Sequence, residues 1–172
     1  MLFSTHATVG AALGVATGNP ILGFLAGAAS HHVLDAIPHF DQGTFYIIKP
    51  GPSYLGRIRE PYETSGFDGN TCDWMMLFID WGVALVIFGV IFYIIPPEKW
   101  PSVIIGALGG ILPDVIDSSP LWSRELREKI KVVASYHSFH LFFHWTVEKR
   151  NIFLGSATQI TAIALSLLYL LK

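Results

Sequence analysis

Seven histidines stand in a chain of 172 residues of which only 14% are charged. His6 opens one apolar run. His31, His32 and His39 lie beside Asp35 and Asp41, and His137, His140 and His144 form a second group. Three further carboxylates, Asp80, Asp114 and Asp117, stand within or at the end of apolar stretches. Imidazole and carboxylate together suit zinc, manganese or iron. Sets with several carboxylates often hold two ions, an arrangement suited to phosphoester hydrolysis because the pair steadies both the attacking and the leaving oxygen. The expected cofactor is a divalent metal, zinc or manganese, as one or two ions.

Spacing supports a shared site. His31 and Asp35 are i, i+4 and share one helical face; His32 and Asp35 are i, i+3, so one of the two histidines suffices. Asp114 and Asp117 are i, i+3, and His137, His140 and His144 form one helical stripe. Each residue alone has a plainer reading, as a helix cap or a side chain reaching from a helix end to water. Asp80 and the Asp114/Asp117 pair resist that reading. A carboxylate inside a spanning helix costs on the order of 3 kcal/mol and usually faces a cavity or partner. The pair sits at the negative end of a helix dipole, where a cation should offset it.

The expected ligands are His6, His31, Asp35, Asp80, Asp114, Asp117 and His137, with Asp80 meeting the metal or a ligating histidine. His140 or His39 is expected to act as general base or to orient a leaving group. His144, beside Trp145 and near Lys149 and Arg150, is expected at the rim and outside the site.

These residues need elements to bring them together. With 52% hydrophobic residues and a mean hydropathy of +0.49, the chain has too few charges to cover a soluble surface. It reads as one membrane-embedded domain over 1–172. A net charge of −2 advertises no polyanionic partner, so no direct nucleic-acid contact is expected. The single cysteine, Cys72, excludes an intrachain disulfide and a Cys-rich zinc site. No Lys or Arg precedes the first apolar run, so no cleavable signal peptide is expected. The chain has no nucleophile elbow, P-loop, His-Glu-x-x-His or dinucleotide fingerprint.

Two apolar runs, 74–95 and 152–171, match the roughly 20 residues that cross a hydrocarbon core. The stretch 7–36 is rich in Gly and Ala and broken at Thr17-Gly18-Asn19-Pro20, which predicts a hairpin of helices at 7–17 and 21–36. A short fourth helix over 102–112 ends at Pro113. Residues 42–73 read as a long loop. Residues 118–150 read as a charged helix followed by an aromatic one lying at the interface. The fold class is all-α: an integral membrane helical bundle with two long spanning helices, a short N-terminal hairpin, a short fourth helix and a cytoplasmic interface helix.

Lys and Arg set the orientation. The stretches 42–73 and 118–151 share one side and hold Lys49, Arg57, Arg59, Arg124, Arg127, Lys129, Lys131, Lys149 and Arg150, against Lys99 and Lys172 on the other. That excess places the long loops in the cytoplasm. The chain is expected to be multi-pass in the inner (cytoplasmic) membrane. Every candidate ligand then lies toward the cytoplasmic end of its helix. A weak internal repeat points the same way: Gly23 and Gly27 are followed by His31 and Asp35, and Gly106 and Gly110 by Asp114 and Asp117.

The runs Gly27 to Asp41 and Gly106 to Asp117, with the Tyr136-His137-Ser138 step, resemble the YdjM-like membrane-bound metal-dependent hydrolases. That family is named partly for a LexA-binding, inner-membrane-associated hydrolase. The chain is also distantly similar to zinc-dependent phospholipase C. The resemblance runs from His6 to His144 and matches His6, Asp114, Asp117 and His137 to the family's ligands. It departs where Ala134-Ser135-Tyr136 replaces the family's Arg-Gly-x-Thr, and where two residues rather than one separate the acidic pair.

The expected function is a membrane-bound metal-dependent hydrolase acting on a phosphoester or related bond through a metal-activated water. Its partners would be membrane lipid and a lipid-like or small phosphorylated substrate. The alternative is a non-enzymatic membrane protein with a structural His/Asp metal site that binds a protein partner. A divalent-metal carrier fits less well, because the ligands gather at one face rather than at the midplane.

Overall fold

A computed structural model describes residues 1–41, 71–147 and 149–172. Seven α-helices are described: α1 (Phe3–Thr17), α2 (Pro20–Asp35), α3 (Thr71–Ile94), α4 (Trp100–Asp117), α5 (Ser123–Lys129), α6 (Lys131–Phe143) and α7 (Ile152–Leu170). Among the described residues the extended pairing is a single bridge, His39 to Thr146. The loop expected over 42–73 lies outside the described residues, except that Thr71 already opens α3.

The predicted hairpin is present, and its turn follows from three residues. Gly18 ends α1 in the left-handed conformation, at φ 60°. The Asn19 side chain then accepts from the N–H groups of Ile21 and Leu22, at 2.9 and 3.1 Å, while Pro20 fills the first helical position.

The fourth helix is longer than its sequence predicts. It runs 18 residues, through Pro113, to Asp117. A proline inside a helix removes one backbone bond. Here Pro113 is buried, and the last turn is closed beyond it by Ser118 N–H donating to Asp114 O at 2.7 Å. The stretch Pro97–Asp117 therefore joins Trp74–Ile94 and Lys149–Leu170 as a third helix long and apolar enough to cross a membrane.

The innermost helix is α1, packed on α2, α3, α4 and α7. Its contact with α4 is backbone on backbone: a Cβ at Gly10 would lie 2.4 Å from Gly106 O. The α2–α4 contact is equally close, since a Cβ at Gly27 would lie 2.4 Å from the same oxygen. Small residues are what allow apolar helices to approach this tightly in a membrane. Large side chains of α3 and α7 point outward, among them Leu85, Tyr93, Phe153 and Ile160, as lipid-facing surfaces do. One end of the bundle is closed by an apolar core that includes Ala11, Ile91, Ile95, Val103 and Leu170. The other end holds the histidines and carboxylates.

Candidate metal centre

Six places in the chain supply this polar end. The first turn of α1 brings His6, the last turns of α2 bring His31 and Asp35, and the last turns of α4 bring Asp114 and Asp117. Helix α6 brings His137 and His140. The short segments after α2 and α6 bring His39, Asp41 and His144. His6, His31, Asp35 and His39 are fully buried and His140 nearly so.

Asp35 is the hub. Its Oδ1 lies 3.1 Å from His6 Nε2 and 3.8 Å from His39 Nε2, and it also contacts the Met1 α-amino group. Its Oδ2 lies 3.1 Å from both His31 Nε2 and His140 Nε2, and 3.9 Å from His144 Nε2. Asp114 Oδ1 closes the far side, 3.6 Å from His31 Nε2 and 3.9 Å from His140 Nε2.

Three of these rings are fixed from behind. His31 Nδ1 donates to Gly110 O at 2.8 Å, His39 Nδ1 to Ile37 O at 2.8 Å, and His140 Nδ1 to Asp117 Oδ2 at 2.9 Å. Carbonyl and carboxylate oxygens only accept, so Nδ1 carries the hydrogen and a neutral ring presents its Nε2 lone pair forward. All three Nε2 atoms face Asp35. His31 Nε2 and His140 Nε2 stand 3.1 Å apart, a distance that needs a proton or a metal at one of them.

The two imidazoles at opposite sides of Asp35 differ in charge. Burial alone would lower His140, but hydrogen bonds to Asp117 and Asp35 override it and hold it up at about 10. A proton thus serves there in the metal-free protein. His39 goes the other way: burial, then the α-amino group and His144, hold it well below its ordinary range. Its Nε2 is buried without a hydrogen-bond partner, while facing Asp35 at 3.8 Å and Asp41 at 4.0 Å. That orphaned lone pair between carboxylates fits a cation.

Three sets of ligand atoms lie within 4.8 Å of one another: His6, His31 and Asp114; His31, Asp35 and His140; Asp35, His39 and His144. His31 has one free nitrogen, so the first two sets describe the surroundings of one ion. Asp35 has two oxygens, so it belongs to both ends of the cluster. These buried groups can hold a metal ion.

The expected residues separate on this geometry. His6, His31, Asp35 and Asp114 face the cluster, and His39 and His140, expected in acid–base or orienting roles, present ligating nitrogens to it. Asp117 stands one layer out. It accepts from His137 Nδ1 at 2.8 Å, from His140 Nδ1 at 2.9 Å and from Arg127, which leaves it orienting His140. His137, bonded to Asp117 through Nδ1, belongs to none of the three sets. Asp80 turns away altogether. It accepts from the N–H groups of Phe3 and Ser4 at 2.8 and 3.1 Å, capping the start of a helix that has no capping side chain of its own.

His144 corrects the sequence reading in the opposite direction. Helix α6 stops at Phe143, and His144 has an extended backbone that swings its ring inward. Its Nε2 reaches Asp41 Oδ2 at 3.1 Å. The bridge fixes the swing, with His39 N–H donating to Trp145 O at 3.1 Å and Trp145 N–H to Asp35 O at 2.8 Å. Gln159 is a second residue the sequence reading passed over. Buried on α7, it accepts from Leu2 N–H at 2.9 Å and donates to Phe40 O at 2.7 Å. A lone amide in an uncharged apolar span was its available signal.

The repeat also takes a spatial form. His31 and Asp114, matched in the two copies, are neighbours, and Asp35 and Asp117 grip His140 from its two nitrogens at 3.1 and 2.9 Å. The class so defined is, among the described residues, an all-helical arrangement with three helices long and apolar enough to cross a membrane and a His/Asp cluster at one end. Comparison with protein-family models, curated proteins and solved structures finds no match.

Proposed function

We propose that this protein is a membrane-bound metal-dependent hydrolase that cleaves a phosphoester or related bond in a lipid-like substrate. The observation that carries the reading is the convergence of fixed Nε2 atoms on Asp35, one of them, on His39, with no partner. His31, His140 and Asp114, with His6 beside them, would hold one ion. His39, His144 and Asp41 would hold a second, and Asp35 would bridge the two. Zinc and manganese suit this mixture of imidazole and carboxylate. When bound, such ions supply an acidified water and polarise the bond to be cleaved.

The chain's own residues do the rest. Asp117 keeps His140 in the tautomer that faces forward. Gly110 O and Ile37 O do the same for His31 and His39. Asp41 and Asp114 line a cavity of about 510 Å³ between α3 and α4, which gives a substrate a route to the cluster. The nine-to-two distribution of Lys and Arg supports a cytoplasmic-face site in the inner membrane. The resemblance to the YdjM-like hydrolases supports the same reading.

A structural metal staple is the second reading, favoured by the complete burial of His6, His31, Asp35 and His39. The partly exposed Asp114 and Asp41 on the cavity wall favour an open coordination position instead, which an enzyme needs and a staple lacks. The test is metal analysis of detergent-purified protein beside cleavage of bis(4-nitrophenyl) phosphate, for the wild type and for Asp114→Asn. Bound zinc or manganese with cleavage that Asp114→Asn abolishes supports the hydrolase. Bound metal without cleavage of any phosphoester returns the staple, and metal-free protein overturns both.

A further inference from the structure

Next to the cavity that reaches the cluster lies a second one of about 440 Å³. The two share Phe3, Trp81 and Ile111, so they form one groove between α3 and α4, with Trp81 at the junction. The ends differ in chemistry. The first chamber holds the carboxylates Asp41 and Asp114 and the hydroxyls of Ser118 and Ser119. The second is walled by Ala84, Phe88, Phe92, Ile104 and Leu108 and has no polar side chain. Along α3 the lining runs from Trp74 to Phe92, about 27 Å at the standard helical rise. That is more than half of a hydrocarbon core of about 30 Å.

We infer that this groove seats the hydrocarbon tail of an amphiphile whose ester or phosphate head lies at Asp114 and Asp41, and that the second chamber selects for tail length. As the identification of a substrate, this rests on the hydrolase reading above. The occupant follows from the walls. A polar polymer would find no hydrogen-bond partner in the second chamber. A further helix would need small residues for close approach, whereas Phe88, Phe92 and Leu108 stand there. Leu85, Ile104 and Leu108 are also exposed at the groove's margin, so the groove is open sideways, where a tail can enter from the bilayer. A long acyl or isoprenoid chain on a compact anionic head matches both ends.

The experiment uses the full chain in detergent, loaded with zinc, and butyl, dodecyl and hexadecyl phosphate as probes competing with a fluorescent alkyl phosphate. The quantity read is the ratio of variant to wild-type affinity at each tail length, which cancels partition of the probe into detergent. Ile104→Trp fills the second chamber. It is expected to weaken hexadecyl phosphate about tenfold or more and to leave butyl phosphate within about twofold, with zinc content unchanged. Leu108→Trp, at an exposed position of the same wall, repeats the test if Ile104→Trp folds poorly. Equal losses at all tail lengths, or no loss at any, overturns the inference. Cleavage of a short phosphoester separates the two claims. If short esters are cleaved but tails are not distinguished, the groove assignment alone fails. If tails are distinguished and no ester is cleaved, the hydrolase reading fails and the groove stands as a lipid site.

Discussion

The cluster has two halves that are built by different means. Around His31, His140 and Asp114 the side chains come from the last turns of α2, α6 and α4, so their positions follow from helix register. Around His39, Asp41 and His144 they come from non-helical segments held by the bridge between His39 and Thr146. In the helical half His140 is hydrogen-bonded through both nitrogens, to Asp117 and Asp35; in the other half His39 keeps an unpartnered nitrogen. The lesson is that helix register fixes one set of candidate ligands, while the other set depends on where two helices stop and on one backbone bridge.

Asp35 belongs to both halves, so its loss should produce the largest effect. Asp35→Asn is expected to empty both halves, reducing bound metal, read by elemental analysis, to near background. Retention of one full equivalent would mean that the halves do not share a bridge.

The comparison sharpens with single-half variants. His31→Ala should remove the ion of the helical half and His144→Ala that of the loop half, each leaving the other occupied. If either variant loses all metal, the two halves act as one site. If His144→Ala loses none, the loop half is not a metal site.

A smaller change tests orientation rather than ligation. Asp117→Asn removes the carboxylate behind His140 without touching the ion, and should weaken metal in the helical half by roughly 10–100-fold. Metal in the loop half should be unaffected, and a competition titration with a chelator reads both.

The smallest effect is expected at Asp80. Because it caps α1, Asp80→Asn should cost about 1 kcal/mol of stability, as cap losses do, and leave metal content unchanged. A shift in thermal midpoint without metal loss confirms the cap; metal loss at constant stability returns Asp80 to the cluster.

These outcomes bear on what the residues themselves disclosed. The hairpin, α3 and α7 were legible because apolar run length and the Thr-Gly-Asn-Pro break act locally. The inward helical ligands were legible because i, i+4 spacing fixes a face. Pro113 misled the reading of α4, since tertiary packing holds a helix past a proline that would end it in isolation. His144 was missed because its direction depends on where α6 stops and on a backbone pairing with residues a hundred positions earlier. Asp80 was misplaced because the groups it satisfies are backbone N–H groups, which carry no mark in a sequence.

The bare backbone faces of α1, α2 and α4 have a consequence for biogenesis. Ribosomes deliver the chain from its N-terminus, so α1 and α2 emerge well before α4, the surface their glycines fit. During that interval Ser4, Thr5, His6 and Thr8, all buried in the finished bundle, have no completed enclosure. The polar face of the hairpin therefore stays uncovered until the later helices are made. The His/Asp cluster is then closed late in the protein's synthesis, only after α6 has been made and packed on the ends of α2 and α4.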